Sequence, residues 1–464
     1  MSSRFGKFFR SLFSIEKHER VKVFSLTISF FLIIAAYTIA RELKDSIFVA
    51  IVGKSYLPIA KILTLVILIP PILFYSFLVD KIRRYQLLCY YSMFFGAMGL
   101  LFAFLLGHPT IGIANTATSP FRFFGWIFYF FVEGYSPFLV SVFWAFANSI
   151  NDPAEAKNNY GIMVSGSKLG GIISAIIAWA TLKECRPFCY LVTSDIAKHQ
   201  VLLGFSSILL LVVPLVIMRM IRSVSGKYLH GYEAAYRVEK QRAKEGESGT
   251  GIFSGLHMFV KHPYLLGIFC MVFFYEIINS VLGYLKIGFA QSNSESLSDV
   301  SGYLFLVILA THITGFAISF FGTKALLNKL GERLCLVLIP AATGLLLLYL
   351  MISYTQFALI VVYVVMRGIN YGFSYPVRES LYIPTVKEIK FKSKSWIDAF
   401  GSKFAKSTGS VFNYVVDLAA PLLLIPLYSG FFALIIGVWI FAAILLGRRF
   451  DKAVANNEVI GIDR

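Results

Sequence analysis

Residues 237–251, RVEKQRAKEGESGTG, are rich in charge, glycine and serine, and they separate two long regions of apolar sequence. Six apolar stretches of about 20 residues precede them and six follow, and a helix of that length spans a bilayer. Of the 464 residues, 57% are apolar and only 15% are charged, whereas soluble domains have roughly 25% charged residues. The sequence therefore predicts an integral membrane protein and argues against a soluble enzyme.

The apolar stretches predict an all-α fold with twelve transmembrane helices. They lie at residues 22–50, 57–78, 86–106, 123–148, 160–182, 200–221, 263–285, 301–323, 334–353, 357–375, 402–424 and 428–447. We divide the chain into an amphipathic N-terminus (1–21), a six-helix bundle (22–221), a linker (222–262), a second six-helix bundle (263–447) and a tail (448–464). Two six-helix halves joined by a long loop describe the major facilitator architecture, whose substrate lies between the halves near the midplane.

The basic residues predict the orientation of the chain. Thirty of the 43 Lys and Arg fall at the two termini and in alternate connections, and eight fall in the other connections. By the positive-inside rule, the N-terminus, the linker and the tail are cytoplasmic. The net charge of +18 thus reflects membrane topology and does not predict a nucleic-acid partner.

The N-terminus and the cysteines add two smaller expectations. Residues 4–13, RFGKFFRSLF, place apolar side chains at helical spacing with basic ones off that stripe, which predicts a helix on an anionic lipid surface. The alternative is a basic, partly frayed tail. Cys185 and Cys189 lie in one non-cytoplasmic connection and would form a disulfide in an oxidising compartment. The cysteine and histidine spacings match no metal site, and we expect no cofactor.

Charges inside the predicted spans are the candidate site residues. An ionisable group at the bilayer centre costs about 2.5 to 3.5 kcal/mol and usually faces a bundle interior or a watery cavity. The cations are Arg41, Lys44, Lys61, Lys168, Arg367, Lys403 and Lys406, and the carboxylates are Asp45, Glu133, Glu276 and Asp417. This surplus of cations predicts an anion of several charges, such as a nucleotide di- or triphosphate, because Arg and Lys are the usual phosphate ligands.

The charges of the first two predicted spans also have simpler interpretations. Arg41, Lys44 and Asp45 share one helical face, but they would form a solvated turn if the helix ended at Ala40. Lys61 has no acidic residue near it in the sequence, and it would otherwise extend its amine to the membrane interface.

Other intramembrane charges would be structural if they paired with one another. Glu133 lies between long aromatic runs, and Lys168 is surrounded by glycine and serine. The structural alternative for Lys168 is an ion pair with Glu133 or Asp45. The alternative for Arg367 and Asp417 is that they neutralise each other.

Residues 375–410, YPVRESLYIPTVKEIKFKSKSWIDAFGSKFAKSTGS, resemble the signature of the ATP/ADP translocase family of intracellular bacteria and plastids. The resemblance runs from about Arg41 to Gly409. The matching positions of the signature are Pro376, Arg378, Glu379, Tyr382, Ile383, Pro384, Lys394, Ile397, Asp398, Lys406 and Ser407. Further matches are Arg41, Lys44, Asp45, Lys61, Glu133, Phe143, Trp144, Phe146 and Asn148.

The chain departs from the family pattern at three places. Members that exchange ATP for ADP tend to carry an Asn-x-x-Glu in the seventh span, and here Asn279 is followed by Leu282, with Glu276 one turn earlier. An acidic residue is usual at Tyr375, and Lys is usual at Arg378. These changes bear on the substrate, since members similar to this chain carry other nucleotides or NAD.

The resemblance implies a carrier in the bacterial inner membrane that exchanges ATP for ADP by alternating access. Its oligomeric state stays open, with a monomer as one option. Occlusion of an empty basic cavity would be unfavourable, so a loaded state would cross over more easily. The implied substrate-binding residues are Arg41, Lys44, Asp45, Lys61, Glu133, Asn148, Lys168, Glu276, Asn279 and Lys406. Two ion pairs, Arg378 with Glu379 and Lys394 with Asp398, would form a cytoplasmic gate.

Several other functions stay open. The substrate could be NAD or another nucleotide, or protons could drive import through Glu133 or Glu276. A membrane-embedded enzyme or lipid flippase would need a catalytic constellation at one leaflet, and the sequence has no paired-carboxylate motif or histidine cluster. A structural or receptor protein would gain nothing from burying lysines.

Overall fold

The computed structural model describes residues 17–71, 74, 78, 82–150, 153–183, 194–224, 262–319, 323–382, 384–385, 397–456 and 458–460. The predicted surface helix at residues 4–13, most of the linker, and Cys185 with Cys189 lie outside these ranges.

Helices make up nearly all of the described chain, which confirms the all-α prediction. They are α1 (Lys17–Ile51), α2 (Leu57–Ile67), α3 (Arg84–Leu106), α4 (Phe123–Glu133), α5 (Ser141–Ile150), α6 (Pro153–Leu182), α7 (Asp195–Ser223), α8 (Pro263–Ser292), α9 (Leu297–Ala317), α10 (Thr323–Ser353), α11 (Gln356–Ile369), α12 (Tyr375–Ser380), α13 (Ser402–Asp417) and α14 (Leu424–Ala455).

Eleven helical segments of the described chain are long and apolar enough to cross a membrane, and they correspond to eleven of the twelve predicted spans. The remaining span is α13, which has 16 residues and ends at Asp417 instead of residue 424. Pro421 explains the early end, because the residue before a proline is driven out of the helical conformation. Ala420 is accordingly extended, with φ −63° and ψ 145°.

Hydroxyl side chains set the start of three helices. Ser194, Ser296 and Thr355 each accept a hydrogen bond from the backbone N–H three residues later, at 3.2, 3.1 and 3.2 Å. This bond satisfies one of the free amides at a helix N-terminus. The helices therefore begin at 195, 297 and 356, ahead of the apolar windows predicted at 200, 301 and 357.

π-helical turns occur along the described chain, among them Ser136–Val140, Asn370–Ser374 and Ile397–Gly401. Pro137 accounts for the first, because it has no N–H to donate to the carbonyl of Glu133, four residues earlier. Such turns are frequent at functional sites. The first two turns begin three residues after the candidate residues Glu133 and Arg367, and the third directly precedes Ser402.

The chain forms two compact units. Unit 1 contains Met1–Lys44, Pro70–Thr116 and Ile127–Ser248, and so holds most of α1, then α3, most of α4, and α5 to α7. Unit 2 contains Asp45–Ile69, Ala117–Trp126 and Gly249–Arg464, and so holds the end of α1, then α2 and α8 to α14. The boundaries predicted for the two six-helix bundles, 22–221 and 263–447, remain a prediction.

Glycines bring helices of unit 1 into close contact. A Cβ atom added at Gly170 of α6 would lie 2.5 Å from the backbone carbonyl oxygen of Phe31 on α1, and one added at Gly96 of α3 would lie 2.7 Å from Leu211 on α7. Helices in a bilayer associate through such small residues, because lipid offers little hydrophobic driving force between them.

We predict that Gly170→Ala destabilises the protein by about 1 to 3 kcal/mol, since its methyl group collides with backbone that cannot turn away. Gly204→Ala on α7 is the matched control, because no described atom lies within 4 Å of the added carbon. Thermal unfolding in detergent measures both. Equal melting temperatures for the two variants would contradict the close α1–α6 contact.

Candidate functional site

The first group of intramembrane charges lies on an unbroken helix. α1 runs from Lys17 to Ile51, so the alternative in which it ends at Ala40 is wrong. The segment 41–51 contains no glycine or proline to end it. Glu42 and Lys44 are buried, at 3% and 5% relative exposure.

Lys44 is held by a carboxylate and an aromatic ring. Its Nζ lies 2.5 Å from Glu133 Oε1 and 4.2 Å from the ring centre of Tyr129. Arg41 lies 3.7 Å from Glu42 Oε1. We call Arg41, Glu42, Lys44, Tyr129 and Glu133 the Lys44 cluster. A carboxylate and the negative face of a ring are the partners that make a buried ammonium tolerable.

Lys168 lies away from this cluster. Its neighbours Gly166 and Gly170 pack against Thr27 and Phe31 of α1. Lys44 is 13 residues beyond Phe31, or about 20 Å along the helix. The described residues provide no ion-pair partner for Lys168, so the suggested structural pairs with Glu133 and Asp45 are wrong.

The second cluster joins α8 and α13 in unit 2. Glu276 Oε2 accepts a hydrogen bond from Asn279 Nδ2 at 3.0 Å, and its Oε1 accepts one from Ser402 Oγ at 3.3 Å. Lys406 Nζ lies 3.7 Å from Glu276 Oε2. We call these four residues the Glu276 cluster. Three of them were predicted from the sequence, and the structure brings them together.

Lys61 belongs to the same region of unit 2. Helix α2 packs on α13, where Ser407 Oγ donates a hydrogen bond to the Lys61 carbonyl oxygen at 3.4 Å. Ser407 follows Lys406 in the chain, so α2 passes beside the Glu276 cluster. The Lys61 side chain is half-buried.

Arg367 and Asp417 do not neutralise each other. Arg367 is 1% exposed and donates hydrogen bonds to the hydroxyls of Tyr363 at 2.7 Å and Tyr371 at 3.1 Å. Asp417 accepts a hydrogen bond from the Tyr284 hydroxyl. The suggested Arg367–Asp417 pair is therefore wrong, and tyrosine hydroxyls hydrogen-bond to both side chains instead.

The structure describes only part of the predicted gate. Arg378 lies 5.8 Å from the ring centre of Tyr375, and the described residues show no Arg378–Glu379 ion pair. Lys394 and the side chain of Asp398 lie outside the described part, as does the side chain of Asn148.

Sequence reasoning missed two members of these clusters. Tyr129 is four residues before Glu133 and so shares its helical face, a spacing that could have identified it. Ser402 is 126 residues from Glu276, and no local pattern links the two.

A sequence model of the family described as "TLC ATP/ADP transporter" matches residues 1–450. The chain belongs to this family. ADP,ATP carrier protein 1 of Rickettsia bellii is 22% identical, over 96% of this chain and 97% of that protein. ADP,ATP carrier protein 1 of Chlamydia trachomatis serovar D is 25% identical, over 98% of this chain and 93% of that protein.

Solved structures support the fold assigned to this TLC family chain. A D-xylose-proton symporter aligns with a TM-score of 0.63 and 12% identity, over 94% of this chain and 97% of that one. The nucleoside transporter NupG aligns with a TM-score of 0.55 and 14% identity, over 93% and 98%. These similarities confirm a major-facilitator-like fold.

The ion pairs of the clusters correct one expectation. The sequence predicted unpaired lysines, yet Lys44 lies on Glu133 and Lys406 lies on Glu276. In this TLC family chain these two ammonium groups are thus held by carboxylates, while the surplus of cations over carboxylates is unchanged. Burying an ammonium without a partner costs several kcal/mol, which accounts for the pairs.

We predict that Glu276→Ala lowers the stability of the protein by about 2 kcal/mol, because it removes the shared acceptor of Asn279, Ser402 and Lys406. Ser402→Ala removes a single hydrogen bond and should cost less than about 1 kcal/mol. Thermal unfolding of both purified variants provides the comparison. An effect of Glu276→Ala no greater than that of Ser402→Ala would show that the glutamate does not organise this cluster.

Proposed function

We propose that this protein is a membrane carrier that exchanges ATP for ADP by alternating access. The match to the TLC ATP/ADP transporter family over residues 1–450 carries the proposal. We place the carrier in the bacterial inner membrane as part of this proposal, and the charge distribution supports a cytoplasmic location of both termini.

In unit 1, we propose the Lys44 cluster as a phosphate site. Arg41 and Lys44 supply two cations one helical turn apart, and the Lys44 side chain is only 6% exposed. Charge-assisted hydrogen bonds from such groups to phosphate oxygens are among the strongest in proteins. A phosphate chain with several negative charges competes for Lys44 against Glu133, which carries one.

The Lys44–Glu133 pair supplies a reason for exchange. With no nucleotide bound, the pair ties α1 to α4 within unit 1. A phosphate that takes over Lys44 releases Glu133 and frees the two helices. The carrier then changes conformation more readily when loaded, so a nucleotide leaving one side must be replaced by another. A lysine paired with a carboxylate thus takes the place of the unpaired lysines in the basic cavity inferred from the sequence.

In unit 2, we propose that Lys406 and Lys61 bind phosphate and that Glu276 plays the part of Glu133. Lys406 is 39% exposed while it contacts Glu276, so an anion can reach its ammonium group. The roles assigned to Asp45, Asn148, Lys168, Asn279 and the gate residues stay predictions.

Proteoliposomes preloaded with ADP test the mechanism through two variants. Lys44→Met should reduce uptake of labelled ATP at least about tenfold, since it removes a phosphate ligand. Glu133→Gln should allow ADP to leave without external nucleotide, at a rate several-fold above wild type, because the tie between α1 and α4 is lost. Lys183→Met, an exposed lysine at the end of α6, is the control.

Full exchange by the Lys44→Met carrier would show that Lys44 is not a phosphate ligand needed for transport. Unchanged ADP retention by Glu133→Gln would show that the Lys44–Glu133 pair does not restrain the unloaded carrier. The same vesicles distinguish the remaining substrates: competition by unlabelled NAD or GTP that exceeds competition by ADP, or uptake that an uncoupler stops, would contradict ATP/ADP exchange.

A further inference from the structure

The ammonium group of Lys54 lies in a closely packed environment in unit 2. Gly53, at φ +112°, has a backbone conformation that other residues rarely adopt, and it turns the chain from α1 into the 3₁₀ turn Lys54–Tyr56. The Lys54 amine then lies against the backbone of α8, where a Cβ at Gly288 would lie 2.6 Å from Nζ. Gly53 thus turns the chain toward α8, and Gly288 leaves room for the Lys54 ammonium group.

Tyr284 and Asp417 complete the surroundings of the Lys54 ammonium group. Lys54 Nζ lies 4.7 Å from the ring centre of Tyr284, and the Tyr284 hydroxyl donates a hydrogen bond to Asp417. Lys54 and Asp417 are near enough for their charges to interact, although they form no direct ion pair. The tyrosine connects them. We call Lys54, Tyr284 and Asp417 the Lys54 bridge.

The position of Asp417 is unfavourable without its partners. It is the last residue of α13, where the free carbonyl groups and the helix dipole repel negative charge. The Tyr284 hydroxyl and the Lys54 ammonium offset that repulsion. The charges at positions 54 and 417 therefore depend on each other, and removal of either leaves the other in a poor environment.

The bridge joins the 3₁₀ turn that leads into α2 to α8 and α13, and α8 and α13 also carry the Glu276 cluster. α2 carries Lys61, α8 carries Glu276 and α13 carries Lys406. Tyr284 is eight residues beyond Glu276, about 12 Å along α8, and Asp417 is eleven residues beyond Lys406, about 17 Å along α13. The three helices are thus fixed to one another at two levels.

We propose that the Lys54 bridge is a positioning device for substrate binding in unit 2. By fixing α2 and α13 against α8, it sets the distance between the ammonium groups of Lys61 and Lys406 and so the geometry with which they meet phosphate. The residues of the bridge act through those lysines and do not touch the nucleotide. This inference rests on the proposed exchange of nucleotides.

Two single variants and their double variant test the bridge. Lys54→Met and Asp417→Asn should each raise the apparent KM for ATP in ADP exchange by about tenfold, with the maximal rate within about threefold of wild type. The double variant removes both charges, so its KM should return to within about threefold of wild type. Lys183→Met is again the control.

A distance measurement provides a readout independent of transport. Val66 on α2 and Val411 on α13 are exposed, at 61% and 50%, and accept spin labels in a background with serine at the native cysteines. The single variants should broaden the distribution of distances between the labels, and the double variant should narrow it again. Tyr284→Phe, which deletes only the hydroxyl, should broaden it as well.

Three results would overturn the bridge: an unchanged KM in both single variants, an unchanged distance distribution, or a double variant as impaired as the worse single one. The last would mean that Lys54 acts on the nucleotide itself. A wild-type protein that exchanges no nucleotide would refute the proposed function instead, and the label distances would still decide whether the bridge positions α2 and α13.

Discussion

The contact between Lys44 and Glu133 is the interaction on which this account of the molecule depends. Both groups lie inside apolar helices, where an unpaired charge costs several kcal/mol, and each makes the other tolerable. The same arrangement recurs between Lys406 and Glu276 in unit 2. Each lysine thus contacts a carboxylate of another helix within its unit. In the proposed mechanism, a polyanion displaces that carboxylate.

Backbone irregularities place these side chains. Pro137 leaves the Glu133 carbonyl without its usual helical donor, and the π turn that follows widens the helix beside the carboxylate. A second π turn precedes Ser402 and α13, and a third follows Arg367. Irregular backbone is tolerated at membrane depth only where protein or water covers it.

Hydropathy predicted most of the fold, because the length of an apolar stretch is a local property of the sequence. It could not predict the end of α13, which Pro421 sets, or the early starts that Ser194, Ser296 and Thr355 set by capping. The charges were identified correctly as unusual, but their partners were not. Glu133 and Lys44 are 89 residues apart, and such pairing follows from helix packing. Arg378 and Glu379 were expected to pair, but the structure places Arg378 against the ring of Tyr375 instead.

The central claim is that the phosphate chain, and not the nucleoside, opens the Lys44–Glu133 pair. Calorimetric titration of the purified protein with ATP and with adenosine, in wild type and Lys44→Met, tests it most directly. The account predicts that wild type binds ATP at least about tenfold more tightly than adenosine, because charge-assisted hydrogen bonds contribute about 1.5 to 3 kcal/mol each, and that Lys44→Met loses most of this preference while binding adenosine normally. Equal affinity of wild type for ATP and adenosine, or an unchanged preference in Lys44→Met, would contradict it.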